Sequence, residues 1–279
     1  MLRRLVKRVG GAALGLAVDR SRATKRIAFI HIPKCAGSSV AEAIRRTYFP
    51  LPQELHRRWS DGTAFASVAI GHAASLATAE QFQVNLQHFR SMVLYYELSL
   101  ARTAYVTGHV PFSKIVADAH ADRWSFVTTL RNPIDRFFSE YFYNRFKASD
   151  HYKVNDELDM YLQSADARRT SSQLTNFLTG RPDVYSPPSQ DDVESALDNL
   201  RRFAVVGFVE DLERFAHDLA THFGKRPVFE RTNKSPAPEG KARCMLDRSI
   251  RQKVAELSAA DTEIYIRARK LFGGTSEDS

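Results

Sequence analysis

Ile27-Ala28-Phe29-Ile30-His31-Ile32-Pro33-Lys34-Cys35-Ala36-Gly37-Ser38-Ser39 is the stretch whose reading decides the fold. Residues 27–32 form a short apolar run rich in β-formers, which predicts a buried strand ended by Pro33. From Gly37 onward, Val40, Ala41, Ala43, Ile44 and Tyr48 recur at the spacing of a helix with one buried face. The chain therefore opens as strand, tight loop, helix. The first-turn N–H groups of such a helix lack intrahelical partners, and the helix dipole stands behind them. That combination suits an anion such as phosphate. Gly37 permits close backbone approach, Ser38 and Ser39 bring hydroxyls, and Lys34 brings a compact positive charge. The GxxxxGK[ST] spacing of a Walker A loop is absent. Taken alone, the loop reads equally well as an anion site or as a structural turn.

A second constellation follows the strand-like run Trp124-Ser125-Phe126-Val127-Thr128-Thr129-Leu130. It is Arg131-Asn132-Pro133-Ile134-Asp135-Arg136-Phe137-Phe138-Ser139-Glu140-Tyr141. Asn132 is a good N-cap and Pro133 suits the first helical position, so a helix is expected from Pro133 to about Lys147. Arg131 is then delivered to the carboxyl edge of a sheet, where open α/β sheets bind ligands. Ser139 lies two turns along the helix, on the side of Arg136 and Tyr143. Arg131 and Ser139 could grip a second phosphate away from the first loop.

Further strands are expected at Ala104–Thr107, ending in Gly108-His109, and at Phe203–Phe208, with a short one at Ser67–Ile70. Helices are expected over residues 81–100, 173–178, 190–200, 212–223, 247–257 and 261–271. Residues 50–63 and 231–240 read as loops. Strands alternating with helices predict an α/β fold: a central, mostly parallel sheet with helices on both faces. We see no repeat and no linker, so residues 25–273 read as one domain followed by a disordered tail at 274–279. Residues 1–24 are basic, then weakly apolar and glycine-rich. The apolar run falls well short of the ~20 residues a membrane span needs, so no transmembrane anchor is expected. A basic amphipathic helix touching a membrane surface and a frayed tail both remain open for this segment.

Composition narrows the partners. The chain has 279 residues, 43% of them hydrophobic, enough for a sizeable core. A formal charge of +8 favours anionic partners without choosing among them. Two cysteines, Cys35 and Cys244, are too few for a disulfide scaffold and fit a reducing compartment. The histidines form no HExxH and no Cys/His cluster, so no metal site is expected.

Together the two constellations resemble the sulfotransferase superfamily, which uses 3'-phosphoadenosine-5'-phosphosulfate (PAPS). The first is similar to its 5'-phosphosulfate loop, written Pro-Lys-Thr-Gly-Gly-Thr-Ser in the glycan branch. The second is similar to its 3'-phosphate motif, Arg-Asp-Pro-x-x-Arg-x-x-Ser-x-Tyr. Weaker likenesses to the heparan sulfate 2-O- and uronyl 2-O-sulfotransferases follow. They are Gly108-His109-Val110-Pro111-Phe112, Gln173-Leu174 through Gly180, Val206-Gly207-Phe208-Val209-Glu210, Arg231-Thr232-Asn233-Lys234-Ser235, and Asp261-Thr262-Glu263-Ile264-Tyr265. Cys35, Ala36 and Asn132 depart from the pattern, and Thr107 stands where the 2-O enzymes carry a second histidine.

The resemblance implies a P-loop-like sulfotransferase fold and transfer of a sulfuryl group from PAPS to a hydroxyl acceptor, with PAP as product and no metal. His109 would be the base and Lys34 would neutralise charge on the leaving nucleotide. Lys34, Cys35, Ala36, Gly37, Ser38 and Ser39 would hold the 5' end; Arg131 and Ser139 would hold the 3'-phosphate, and Arg231 would close over the nucleotide. The acceptor would be a glycan or glycolipid rather than nucleic acid. With few cysteines and no anchor, the expected setting is bacterial cytoplasm. His72, in a second Gly-His pair, is the alternative base. Three other readings are weighed. A P-loop kinase would use Glu210-Asp211 as its acid pair, a cysteine phosphatase would use Cys35, and a non-catalytic module would hold anions on its basic surface.

Overall fold

A computed structural model describes residues 26–50, 56–58, 79–101, 103–150, 152–181, 183–230, 245 and 247–273. The expectations for residues 1–24, Ser67–Ile70, His72, the 231–240 loop with Arg231, and 274–279 lie outside the described residues. No described helix is long and apolar enough to cross a membrane.

The fold is α/β. Five strands form one parallel sheet: β1 (Arg26–Ile30), β2 (His56–Arg58), β3 (Tyr105–Gly108), β4 (Trp124–Leu130) and β5 (Val205–Phe208). Their spatial order is β2-β3-β1-β4-β5. The helices are α1 (Gly37–Tyr48), α2 (Ala79–Ser99), α3 (Lys114–His120), α4 (Pro133–Phe146), α5 (Leu158–Tyr161), α6 (Ala165–Ser171), α7 (Gln173–Thr179), α8 (Gln190–Leu200), α9 (Leu212–Phe223), α10 (Arg248–Leu257) and α11 (Ala259–Phe272).

Alternation along β1 shows why the strand reads as a continuous apolar run. Ile27 and Phe29 pack beneath α1 and α9, with Val40, Ile44, Phe215 and Leu219. Ala28 and Ile30 enter the opposite layer, with Leu94 of α2, Val116 of α3, Leu174 of α7, Leu197 of α8 and Ile264 of α11. A strand covered on both faces has no polar side to show. A third cluster joins α4, α5, α6 and α10 through Phe137, Phe138, Tyr141, Tyr161, Ala167 and Val254. Close approach explains one glycine of β5: a Cβ on Gly207 would lie 2.3 Å from the Phe215 ring.

The strand expected at 27–32 runs Arg26–Ile30, and the one expected at 203–208 runs Val205–Phe208. The loop expected at 50–63 is corrected, because His56–Arg58 pairs in register with Tyr105–Thr107 as an edge strand. Its pairing is made by backbone groups of a polar tripeptide, which leave no apolar period to read. Two short capped helices were likewise not expected: α3 behind Ser113 and α6 behind Ser164.

Strand order places the site. From β1 the chain leaves toward β2, while from its neighbour β4 it leaves toward β5, on the opposite side. Adjacent strands with diverging connections open a crevice at their carboxyl ends.

Candidate functional site at the switch point

The carboxyl ends of β3, β1 and β4 stand side by side, about 4.8 Å apart per strand. Each is followed at once by a residue singled out from sequence: His109 after β3, the Pro33–Ser39 loop after β1, and Arg131 after β4.

The loop holds two L-residues in the left-handed region, Lys34 at φ 64° and Ala36 at φ 56°. Ala36 is the N-cap of α1 and makes no side-chain cap hydrogen bond. The N-termini of α4, α8 and α9 are each closed by a side chain, from Asn132, Ser189 and Asp211. The α1 terminus, beside the carboxyl ends of β1 and β4, has no carboxylate, amide or hydroxyl at its cap. Thr129 Oγ1 donates to the Cys35 carbonyl at 2.7 Å, and Arg131 Nη1 donates to the Lys34 carbonyl at 3.2 Å. The β4 end thus braces the loop from beside it. A left-handed alanine costs about 1–2 kcal/mol, against about 0.5–1 kcal/mol for glycine's added chain freedom. Ala36→Gly is therefore expected to stabilise the fold by up to about 1 kcal/mol in urea denaturation.

Gly37 is required by contact. A Cβ there would fall 1.7 Å from Cδ2 and 1.8 Å from Nε2 of His31. Cys35 departs from the expectation that it grips an anion. Its side chain is fully buried, its N–H bonds to the Ile32 carbonyl, and its own carbonyl is taken by Thr129. Burial pushes the thiol pKa up to about 12, above the partly offsetting charges of Arg136 and Arg131. A nucleophilic thiolate is not formed there at neutral pH. Cys35 is expected to resist iodoacetamide at pH 7 in the native protein and to react after denaturation, as peptide mass spectrometry would read.

The Lys34 ammonium stands 3.7 Å from the centre of the Tyr143 ring on α4. Ser139, one turn before Tyr143 on that helix, is 6% exposed. Arg136, in the same motif, does not face the crevice. It is fully buried, with Nη1 donating to Glu140 at 2.5 Å and Nη2 to the Thr170 carbonyl. Its role is to tie α4 to α6. The first donors of α4 are occupied as well, since Asn132 Oδ1 accepts from Ile134 and Asp135. The start of α4 is therefore closed by its own cap, whereas that of α1 is not.

His109 Nδ1 lies 2.8 Å from the His31 carbonyl. A carbonyl only accepts, so Nδ1 carries the proton and Nε2 keeps its lone pair in the neutral ring. The ring reaches solvent in the crevice yet is crowded by protein. Desolvation holds its pKa below the ordinary value, and the charges of Arg90 and Lys34 add to this. The His31 carbonyl and Glu140 act in the opposite direction. Phe177 of α7 meets the ring edge to face at 6.4 Å. Asp261 of α11 secures α7 by accepting from the Leu174 and Thr175 N–H groups and the Thr175 hydroxyl. Thr107 is 4% exposed within β3, so it does not line the crevice as His109 does.

Glu210 and Asp211, the acid pair of the kinase reading, serve as tethers. Glu210 accepts from the Asn132 N–H and the Tyr265 hydroxyl, while Asp211 caps α9. Among the described residues no group of three or more His, Cys, Asp or Glu is gathered to hold a metal.

Sequence reasoning missed Arg90. It falls on the apolar stripe Leu86, Leu94 and Leu98 of α2, all nearly inaccessible to solvent. Its Nε is buried without a hydrogen-bond partner among the described residues. An arginine at i+4 between core leucines was the available signal. Comparison with known protein families and with curated proteins finds no match for the chain.

Proposed function

We propose that the chain is a sulfotransferase that moves the sulfuryl group of PAPS to a hydroxyl acceptor, on a P-loop-like sulfotransferase fold. One observation carries the reading. A helix start after β1 that has no side-chain cap, with Lys34 beside it, stands between an arginine on the β4 end at one side and a histidine of defined tautomer on the β3 end at the other. The backbone from Ala36 to Ser39 would receive the 5'-phosphate, as uncapped helix starts receive anions. Arg131 and Ser139 would receive the 3'-phosphate, which distinguishes this nucleotide from ATP. His109 Nε2 would accept the acceptor's hydroxyl proton as the new S–O bond forms. The bond between sulfur and the bridging oxygen breaks, and Lys34 would meet the negative charge left on the nucleotide. The acceptor proposed is a carbohydrate hydroxyl, in a glycan or glycolipid, and the setting proposed is bacterial cytoplasm.

Calorimetry tests the nucleotide half. Adenosine 3',5'-bisphosphate (PAP) is expected to bind, and to bind more tightly than ATP. No binding, or a preference for ATP, would end the reading. Mass spectrometry of acceptors incubated with protein and PAPS tests the transfer; a mass gain of one sulfuryl group is expected.

The depressed His109 pKa sets a pH expectation. A base with a lowered pKa stays neutral to lower pH, so the acidic limb of kcat/KM should fall below the ordinary histidine value of about 6.5. An acidic limb above that value would contradict the assignment.

A further inference from the structure

His31 touches both halves of the proposed site. Its N–H donates to the Gly108 carbonyl at 3.1 Å, and its own carbonyl takes Nδ1 of His109 at 2.8 Å. Its backbone therefore brackets residues 108 and 109 from the neighbouring strand. Its ring lies 4.1 Å, centre to centre, from that of His109, tilted by 37°. Phe29 stacks on the same ring at 5.9 Å and 16°. The ring also occupies the space over Gly37, where a Cβ would overlap it. A displacement of the first turn of α1 would therefore be passed to the imidazole beside the base.

The geometry points to His31 as a positioning residue that couples the anion-binding start of α1 to His109. This rests on the reading of His109 as the base. Two contacts divide the work. The carbonyl holds the His109 tautomer and is indifferent to the His31 side chain. The ring packs against the imidazole of His109 and links it to Gly37. Other groups facing His109 are Arg90 from α2, Lys34 from the loop, Glu140 from α4 and the uncharged Phe177 from α7. Of these, only Lys34 lies with His31 on the β1–α1 connection.

The test is histidine NMR on the full chain, with His31→Ala and His31→Phe beside the wild type. His31→Ala removes the packed ring and lets more water reach His109, so its titration is expected to move up toward the ordinary histidine value, with Nδ1 still protonated. His31→Phe keeps a ring in place and is expected to titrate close to wild type. Addition of PAP is expected to shift the His109 resonances in wild type and His31→Phe. It is expected to shift them clearly less in His31→Ala, where only the direct field of the nucleotide and Lys34 remains, even though PAP still binds. In turnover, His31→Ala should lose about 10- to 10²-fold in kcat, with acceptor KM changed less, and the acidic limb should move up in pH.

A His31→Ala protein whose His109 titrates and answers PAP as wild type does would overturn the proposal. So would a His31→Phe protein that behaves like His31→Ala, since the ring contact would then not be what matters. Should His31→Ala not fold, His31→Gln, which has no ring, takes its place with the same expectations. If the wild type binds no PAP, the sulfotransferase reading fails. The titration of His109 across the variants still decides whether His31 positions it.

Discussion

Alanine at position 109 is expected to lower turnover about 10²–10⁴-fold, the range for loss of a general base, while PAP binding persists. The two halves of this expectation come from different strand ends. His109 follows β3, whereas the groups assigned to the nucleotide follow β1 and β4. Removing the imidazole deletes the acceptor for the hydroxyl proton and leaves Lys34, the α1 start and Arg131 in place. Single-turnover kinetics with saturating PAPS read the first half, and calorimetry with PAP reads the second. Wild-type turnover in His109→Ala would remove His109 from the base role. Loss of PAP affinity together with turnover would mean that His109 supports the loop instead. Gln at this position is a useful companion, since its amide can still meet the His31 carbonyl but cannot take up a proton at neutral pH.

Arg136→Ala is expected to cost about 3–5 kcal/mol of stability, because it strands one partner of a buried ion pair. Arg136 has no solvent exposure, and Glu140, which its Nη1 meets at 2.5 Å, has 9% at the side chain. The same guanidinium donates to the Thr170 carbonyl, so α4 and α6 both lose an attachment. Urea denaturation reads the loss, with circular dichroism to confirm two-state behaviour. Arg136→Met combined with Glu140→Leu is expected to recover most of it, since replacing both members of a buried pair by apolar groups is often close to neutral. A loss below about 1 kcal/mol for Arg136→Ala would match a solvent-screened pair and contradict the burial. The comparison also separates two arginines of one motif. Arg131→Ala is directed at PAP affinity, and Arg136→Ala at the fold.

That separation shows where sequence reading stops. In the motif, Arg131 and Arg136 are equally polar, five positions apart, and nothing local tells them apart. Burial divides them, and burial is set by α6, which the polar stretch Ala165–Ser171 did not announce. Cys35 is similar. A cysteine before a helix start invites a low thiol pKa, yet here the side chain turns into the core and its pKa goes up. The edge strand His56–Arg58 was hidden because a polar tripeptide carries no period. Arg90 was hidden because one arginine among the apolar residues of α2 does not alter the helical period.

The amino-acid sequence alone determined the layer architecture and the identity of the strand ends. Apolar runs of strand length, glycine and proline breaks, and helical spacing after Gly37 and Pro133 are local properties, readable one segment at a time. Only the tertiary structure decided that β3, β1 and β4 are neighbours, so that His109, the loop and Arg131 stand side by side at one edge of the sheet. It alone decided that the His31 carbonyl sets the proton on His109, and that the start of α1 is open while the start of α4 is closed. Those facts depend on which segments pack together across long stretches of chain, and adjacency of that kind leaves no periodic trace in the residues themselves.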